Sequence, residues 1–270
     1  MAWAIEQRFQ QNPNQRDIFI SIPCRSANSL SHKWALSFKT LNVPLTGSIA
    51  FETGQPIDIS RNISCVKALQ IGAKYLLFWD ADVLAKPDSL EVLLSIKMPM
   101  VGAVYRSRGE PYQPLANIRT SNDKRPVSEE EIKQNENGII KVDDVGMGFC
   151  LIDMRVIKAL ASKMNEWRCL QDHTKELGRE IAIYDNKTAK TNNYKCELCK
   201  RTLMARFFWY RIGMQNIHAL SEDYYFCHQV RSLGYPIVIV PKVFLNHETT
   251  FGEVGKEGIE NSLRGADNID

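Results

Sequence analysis

Short apolar runs that alternate with amphipathic runs constrain the fold of this 270-residue chain more than any other feature. The apolar runs have the length of buried strands and lie at 17–22, 47–52, 74–79, 100–105, 149–154 and 237–240. The helical patterns are a helix capped by Ser60 and ended by Gly72, and runs at 88–96, 155–163 and 222–233. Strands that alternate with helices of this length are joined by right-handed crossovers. The sequence therefore predicts an α/β fold with a mostly parallel central sheet.

The polar stretches of the chain define the expected domain organisation. Residues 107–142 are rich in turn residues, which predicts long loops with one short helix. Residues at about 165–205 carry paired Cys and His in a polar context, which indicates an insertion. We expect one domain over 1–250 that contains this insertion, followed by a polar C-terminal tail over 251–270.

The charge balance and the cysteine count exclude several classes of protein. The 34 Lys and Arg against 31 Asp and Glu leave a net charge of +3, too small for a general attraction to nucleic acid or anionic lipid. Seven cysteines cannot form a complete set of disulfides, so we expect Cys24, Cys65, Cys150 and Cys227 to be buried thiols. No run has the pattern of a secretion signal or a membrane span, which predicts a cytoplasmic location.

The pair Asp80 and Asp82 comes directly after the apolar run at 74–79. Residues i and i+2 of an extended segment point the same way, so both carboxylates are expected to face one spot. Ligands of open parallel sheets bind beyond the carboxyl ends of the strands, where this pair is expected. Two hard oxygen ligands there suit Mg²⁺ or Mn²⁺ bound to a diphosphate. The alternative for such a short motif is a solvated acidic turn.

Two further features lie near the end of the chain. Ser221, Glu222 and Asp223 begin the last predicted helix, where a Ser cap and acidic residues are also ordinary helix-start chemistry. His247 follows the last predicted strand. A single histidine is more often a surface or core residue than a metal ligand.

Taken in order along the chain, these motifs resemble the GT-A fold of nucleotide-sugar glycosyltransferases, family 2 in particular. The resemblance covers roughly 17–247 and depends on the order of four motifs: Arg61-Asn62 at the opening of a helix, Phe78-Trp79-Asp80-Ala81-Asp82, Ser221-Glu222-Asp223 and His247. It implies a single GT-A, Rossmann-like domain. The implied partners are a nucleoside-diphosphate sugar donor and a glycan, lipid-linked or protein acceptor.

The resemblance also assigns roles to residues. Asp80, Asp82 and His247 would hold Mn²⁺ or Mg²⁺, with Asp80 also at the donor ribose. Donor contacts would include Pro23, Arg25 and Glu52 at the nucleobase and Arg61 near the phosphates. Asp223, with Glu222 beside it, would carry catalysis as the base, and Gly146, Met147 and Gly148 would form a loop at the acceptor. A base that attacks opposite the leaving diphosphate inverts the anomeric carbon, so we expect an inverting enzyme.

Two other enzyme classes share part of this pattern. The run 76–84 also matches the nucleophile motif of haloacid-dehalogenase-like phosphatases, with Asp80 as the nucleophile and Asp143-Asp144 as a later acidic pair. That nucleophile usually follows the first strand of the sheet, whereas at least two predicted strands precede Asp80. A sugar-nucleotide pyrophosphorylase is disfavoured because no glycine-rich loop follows the first strand.

The predicted insertion contains a candidate metal site. Cys196 and Cys199 form a C-x₂-C pair, and Cys169 and His173 lie upstream. Three Cys and one His are a closed tetrahedral set suited to structural Zn²⁺, although the separation of the two pairs is longer than usual. The alternative is two unrelated thiol pairs in a polar loop.

An aromatic segment with flanking arginines, 201–211, follows the insertion. We expect Phe207, Phe208, Trp209 and Tyr210 to belong mainly to a buried element. The alternatives are a stacking platform for an acceptor sugar and a peripheral contact with lipid headgroups. A non-catalytic sugar-binding or nucleic-acid-binding module is the non-enzyme alternative, and the small net charge argues against nucleic acid.

Overall fold

The computed structural model describes residues 17–24, 30–120, 123–178, 181–209 and 221–249, and the backbone of two short strands beyond them. Within these residues the strands are β1 Ile18–Cys24, β2 Gly47–Thr53, β3 Tyr75–Trp79, β4 Val83–Leu84, β5 Met100–Val104, β6 Ala116–Arg119, β7 Lys124–Pro126, β8 Ile140–Val142, β9 Asp144–Val145, β10 Phe149–Asp153, β11 Trp167–Arg168, β12 Ile183–Tyr184, β13 Ile237–Phe244, β14 Asn246–Thr249, β15 Gly252–Gly255 and β16 Gly258–Glu260. The helices are α1 His32–Thr40, α2 Ile57–Gln70, α3 Ser89–Ser95, α4 Glu129–Gln134, α5 Met154–Lys163, α6 Thr174–Leu177, α7 Asn186–Thr191 and α8 Glu222–Ser232.

A central sheet of seven strands organises the fold in the order β2-β1-β3-β10-β5-β13-β8. Five of these strands run in one direction, while β10 and β8 run antiparallel to their neighbours. The predicted α/β fold with a mostly parallel central sheet is therefore confirmed. The antiparallel direction of β10 was not predicted, because an apolar run indicates a buried strand but not its direction relative to neighbouring strands.

Helices cover both faces of the sheet. In β1 the side chains of Ile18, Ile20 and Ile22 pack in the layer that contains Trp34 of α1, whereas Phe19 packs with α2 on the opposite face. This alternation is the period of two that a strand imposes on its side chains. Because both faces are buried, the strands appear in the sequence as continuous apolar runs.

One helix boundary differs from the sequence-based expectation. Ser60 does not cap α2: the helix begins at Ile57 after Pro56, and the buried Ser60 donates its backbone N–H to the Pro56 carbonyl oxygen as an internal helical residue. Gly72 does end this helix, with the positive φ of 67° that glycine tolerates.

The segment 107–142 contains more structure than predicted. Its one expected short helix is α4, whose Ser128 cap and Glu131 form a reciprocal capping box. Strands β6, β7 and β8 were not predicted. Beyond β14, strands β15 and β16 extend a small sheet that also contains β4, and the predicted polar tail includes both of them.

Candidate active site

A cavity of about 770 Å³ opens at the carboxyl ends of the parallel strands β1, β3 and β5. Its volume lies in the range of small-molecule sites. The strand ends supply Cys24, Asp80 and Tyr105, and the first turns of α2 and α8 face the same space. The residues lining it are Pro23, Cys24, Gln55, Pro56, Ile57, Ser60, Arg61, Asp80, Ala81, Asp82, Tyr105, Ser107, Arg108, Leu115, Glu222, Asp223 and His247.

A tight turn, rather than an extended segment, brings Asp80 and Asp82 to this cavity. The Val83 N–H donates to the Asp80 carbonyl oxygen at 3.2 Å, so the chain reverses across the acidic pair. Neighbours hold the turn on both sides: the Trp34 indole N–H donates to the Asp80 carbonyl oxygen, and the Glu248 N–H to that of Asp82. Both residues line one cavity, as expected, but a turn places them there instead of an extended segment.

His247 and Asp82 meet at the cavity although they are 165 positions apart in the chain. The buried His247 ring donates from Nδ1 to the Arg106 carbonyl oxygen at 2.7 Å. That bond fixes the tautomer of the neutral ring, so Nε2 presents its lone pair. His247 Nε2 lies 3.5 Å from Asp82 Oδ1 and accepts a hydrogen bond from Arg108 Nε at 3.0 Å.

Asp82 has an unsatisfied oxygen in this arrangement. Its Oδ2 pairs with the Arg108 guanidinium, but the buried Oδ1 has no hydrogen-bond partner. Burial raises the pKa of Asp82, but neighbouring groups, the Arg108 guanidinium among them, outweigh burial, so the net shift is downward. Asp82 is therefore an ionised carboxylate with coordinating capacity left over.

Arg61 of α2 is the centre of a buried ion-pair cluster. Its Nη2 lies 3.1 Å from both carboxylate oxygens of Asp80, and its Nη1 contacts Glu222 at 2.9 Å and also Asp223. The Arg61 side chain is 2% exposed and stands over the rings of Phe78 and Phe208. The guanidinium already binds three carboxylates. Its approach to the donor phosphates stays a prediction.

Asp223 is the carboxyl group of this cluster with the most strongly shifted pKa. Burial, together with Glu222 and Asp80, raises the pKa of Asp223 to about 7, although Arg61 opposes the shift. Its Oδ2 accepts a hydrogen bond from the Met147 N–H at 3.1 Å. A carboxylate in a cavity with a pKa near neutrality fits a general base.

The predicted acceptor loop lies behind Tyr105. The Gly148 N–H donates to the Tyr105 hydroxyl oxygen at 2.6 Å, and a Cβ on Gly148 would lie 2.6 Å from that oxygen. Gly146 is equally crowded by Tyr105. The two glycines are therefore required for the close approach of the loop to Tyr105, and Met147 connects the loop to Asp223.

The remaining predicted donor residues have different positions. Pro23 lines the cavity. Glu52 lies beside Pro23 in the register of β1 with β2 and pairs with Lys67 Nζ at 2.6 Å. Arg25 is outside the described residues.

Sequence reasoning missed Tyr105, Arg108 and Cys24, all of which line the cavity. Tyr105 and Cys24 lie at the carboxyl ends of strands, so the rule that located Asp80 would have located them too. Arg108 lies in an irregular loop and carries no such signal.

A second cluster lies in the predicted insertion. The ligand atoms of Cys169, His173, Cys196 and Cys199 all lie within 4.8 Å of one another. The Sγ atoms of Cys169 and Cys199 are 3.5 Å apart, and His173 Nε2 lies 3.2 Å from Cys169 Sγ and 3.4 Å from Cys196 Sγ. Four ligands around one zinc ion would be roughly 3.5–3.8 Å apart, given its usual bond lengths. This Cys₃His cluster can therefore bind a metal ion such as zinc.

Hydrogen bonds favour the thiolate form of Cys196. Burial raises its pKa, but bonds from the Tyr184 hydroxyl and from the Cys199 and Leu198 N–H groups outweigh burial and lower the pKa to about 6. A thiolate is the form that binds metal.

The aromatic segment divides into a buried and an exposed part. Phe207 and Phe208 are buried, as expected, and Phe208 stacks on Phe226 of α8. Trp209 is 42% exposed with the Arg206 guanidinium over its ring. Tyr210 and Arg211 lie outside the described residues.

Comparisons with known proteins do not assign this chain to a family. No protein-family model matches the chain, and no curated protein matches it in sequence. Among solved structures, A197 from STIV is similar over 92% of this chain and 95% of its own, with 12% identity and a TM-score of 0.49. A likeness at that level supports no argument about fold or function. None of the described helices is long and apolar enough to cross a membrane.

Proposed function

We propose that this protein is a metal-dependent inverting glycosyltransferase of the GT-A type that uses a nucleoside-diphosphate sugar. The observation that carries the proposal is the convergence of Asp82, His247 and Asp223 on one cavity from three distant parts of the chain. A metal-binding group and a base in one cavity at the carboxyl ends of parallel strands are what sugar transfer from a diphosphate requires.

The residues at the cavity fit a hard divalent cation. Asp82 Oδ1, which has no hydrogen-bond partner, lies 3.5 Å from His247 Nε2, and both residues line the cavity together with Asp80. Four carboxylates in the cavity wall face two guanidinium groups, so the wall carries excess negative charge that a cation would neutralise: Asp80, Asp82, Glu222 and Asp223 against Arg61 and Arg108. When bound, Mn²⁺ or Mg²⁺ would stabilise the charge that develops on the leaving diphosphate.

Asp223 would act as the base. In the ionised state its carboxylate would accept the proton of the acceptor hydroxyl as that oxygen bonds to the anomeric carbon. The Arg61 guanidinium and the Met147 N–H hold the carboxylate in place. Because this oxygen would displace the nucleoside diphosphate directly from the anomeric carbon, the configuration at that carbon would be inverted.

Binding of nucleoside diphosphates tests the proposal without knowledge of the sugar. We expect at least one of UDP, GDP, CDP, ADP and dTDP to raise the melting temperature in the presence of Mn²⁺ and to lose this effect with EDTA. Asp82→Asn is expected to abolish the stabilisation. Asp88→Asn is the matched control, because Asp88 is exposed and its side chain makes no cap hydrogen bond. If no diphosphate stabilises the protein, or if stabilisation does not need Asp82, the proposal is wrong.

Once the donor is known, Asp223→Asn is expected to lower the rate of transfer by about 10²–10⁴-fold while donor binding persists. In the unmodified enzyme the rate is expected to fall as the pH drops below about 7, because protonated Asp223 cannot accept a proton. Glu222→Gln removes the neighbouring charge and is expected to have a smaller effect. Retention of the anomeric configuration in the product, measured by NMR, would contradict the role of Asp223.

The phosphatase alternative has less support from the geometry. Both oxygens of Asp80 accept from Arg61, and Asp143 and Asp144 are not among the residues that line the cavity. Asp144 is instead buried with Arg119, within 3.0 Å. Hydrolysis of para-nitrophenyl phosphate that is lost in Asp80→Asn would favour the phosphatase.

We also propose that the Cys₃His cluster holds one structural zinc ion. Three lines of support are the ligand spacing, the burial of Cys169, His173 and Cys196, and the hydrogen bonds that favour the Cys196 thiolate. The set is closed, with four protein ligands and no fifth donor among the residues grouped with it, which is typical of structural rather than catalytic zinc.

A further inference from the structure

Arg108 lies on a loop that begins at the end of β5. The loop 105–115 is closed by backbone hydrogen bonds from Ser107 to Gln113 and from Leu115 to Tyr105. This closure holds Arg108 at the mouth of the cavity, opposite the turn that contains Asp82. The Arg108 side chain is 57% exposed, in contrast to the 2% of Arg61.

The guanidinium of Arg108 contacts two groups that face the cavity. It forms an ion pair with Asp82 Oδ2, and its Nε donates to His247 Nε2 at 3.0 Å. Because Nδ1 of the ring already donates to the Arg106 carbonyl oxygen, Nε2 has a single lone pair to offer. That lone pair can accept the Arg108 N–H or coordinate a cation, but it cannot do both.

Once a cation displaces it from Asp82 and His247, Arg108 is free to pair with another anion. Arg61 and Arg108 are the arginines that line the cavity in the described part of the chain, and both Nη groups of Arg61 already pair with Asp80, Glu222 and Asp223. An exposed arginine on a long side chain can reach an anionic ligand in the same cavity. Guanidinium groups bind phosphate oxygens through paired N–H donors.

We propose that Arg108 is an exchangeable counter-charge: it pairs with Asp82 and His247 until a divalent cation takes them, and then binds the diphosphate of the donor. This inference rests on the proposed function. It makes Arg108 a positioning residue that couples the arrival of the cation to the binding of the nucleotide.

Opposite effects on two ligands test the inference. Arg108→Gln is expected to bind Mn²⁺ alone about fivefold more tightly, because a competing ion pair has been removed. At saturating Mn²⁺ the same variant is expected to bind the stabilising nucleoside diphosphate about tenfold more weakly, because a charge-assisted contact is lost. Free Mn²⁺ measured by electron paramagnetic resonance and nucleotide binding measured by calorimetry give the two affinities.

Arg125→Gln is the matched control. Arg125 also pairs with a carboxylate, that of Glu131, but lies outside the cavity lining, so both affinities are expected to equal those of the unmodified protein. Unchanged or weaker Mn²⁺ binding by Arg108→Gln, or unchanged nucleotide binding, would overturn the inference. Failure of the proposed function gives a different result, because the unmodified protein would then bind no nucleoside diphosphate at all.

Discussion

Replacement of Arg61 by Met is expected to lower the free energy of unfolding by about 3–5 kcal/mol at pH 7.5. Met keeps most of the volume of the buried side chain but leaves Asp80, Glu222 and Asp223 without their shared cation. Glu222 is buried and Asp80 and Asp223 are partly buried, and carboxylates without a counter-ion are costly there because the interior solvates charge poorly. Arg125→Met is the control: it breaks an exposed pair with Glu131 and is expected to cost at most about 1 kcal/mol.

The loss in Arg61→Met is expected to depend on pH with a definite sign. Burial already raises the folded-state pKa values of Asp80 and Asp223, and without Arg61 these values rise further above those of the unfolded state. The folded state then binds more protons than the unfolded state, so its stability falls as the pH rises. The deficit relative to the unmodified protein is therefore expected to be large at pH 7.5 and smaller at pH 5. Urea unfolding at both pH values measures it; a deficit at pH 7.5 no larger than that of Arg125→Met would contradict the buried cluster.

The location of the cavity could be predicted from local sequence patterns. Asp80 and Asp82 follow a continuous apolar run, and such runs mark buried strands whose carboxyl ends share one edge of the sheet. Asp223 follows a Ser that caps α8, and its Ser-Glu-Asp context indicates the first turn of a helix. Each of these signals extends over only a few residues, so it can be recognised without knowledge of the tertiary fold.

The contacts within the cavity could not be predicted in this way. The ion pair between Arg61 and Asp223 joins residues 162 positions apart, and nothing local to either residue specifies the other. Arg108 meets His247 across 139 positions, from a loop whose sequence only indicates irregular structure. The order of the strands in the sheet determines which residues meet in such clusters. The antiparallel β10 lies between β3 and β5 and therefore sets the spacing of the two strand ends that carry Asp80 and Tyr105.

The insertion and the aromatic segment that follows it both contact the helix that supplies Arg61 to the candidate active site. Phe208 exchanges two hydrogen bonds with the side chain of Asn62, the residue next to Arg61, and lies under the Arg61 guanidinium. Gln70 at the end of α2 donates to the carbonyl oxygens of Asn193 and Tyr194. The segment that carries the Cys₃His cluster is therefore anchored along the helix that supplies Arg61.

Replacement of both Cys196 and Cys199 by Ser is expected to remove one zinc ion per chain and to unfold the insertion. The large apolar residues that the insertion does bury, Trp167 and Leu203, pack with the main core. Five of the eight exposed large hydrophobic residues among those described lie in the insertion: Leu170, Leu177, Ile181, Ile183 and Leu198. In small domains of this kind the free energy of metal binding is also the free energy of folding, about 10–16 kcal/mol for isolated zinc-binding peptides. Metal analysis of the purified protein and limited proteolysis of the insertion measure the two effects.

Cys227→Ser provides the matched control for this double replacement. Cys227 is a buried thiol of α8 that donates to the Val145 carbonyl oxygen, a contact that Ser can keep, so one zinc ion is expected to remain. Absence of zinc from the unmodified protein, or zinc retained by the double variant, would contradict the structural site. Because Phe208 supports Asn62 and Arg61, the double variant is also expected to lose the stabilisation by Mn²⁺ and nucleoside diphosphate, although neither cysteine lines the cavity.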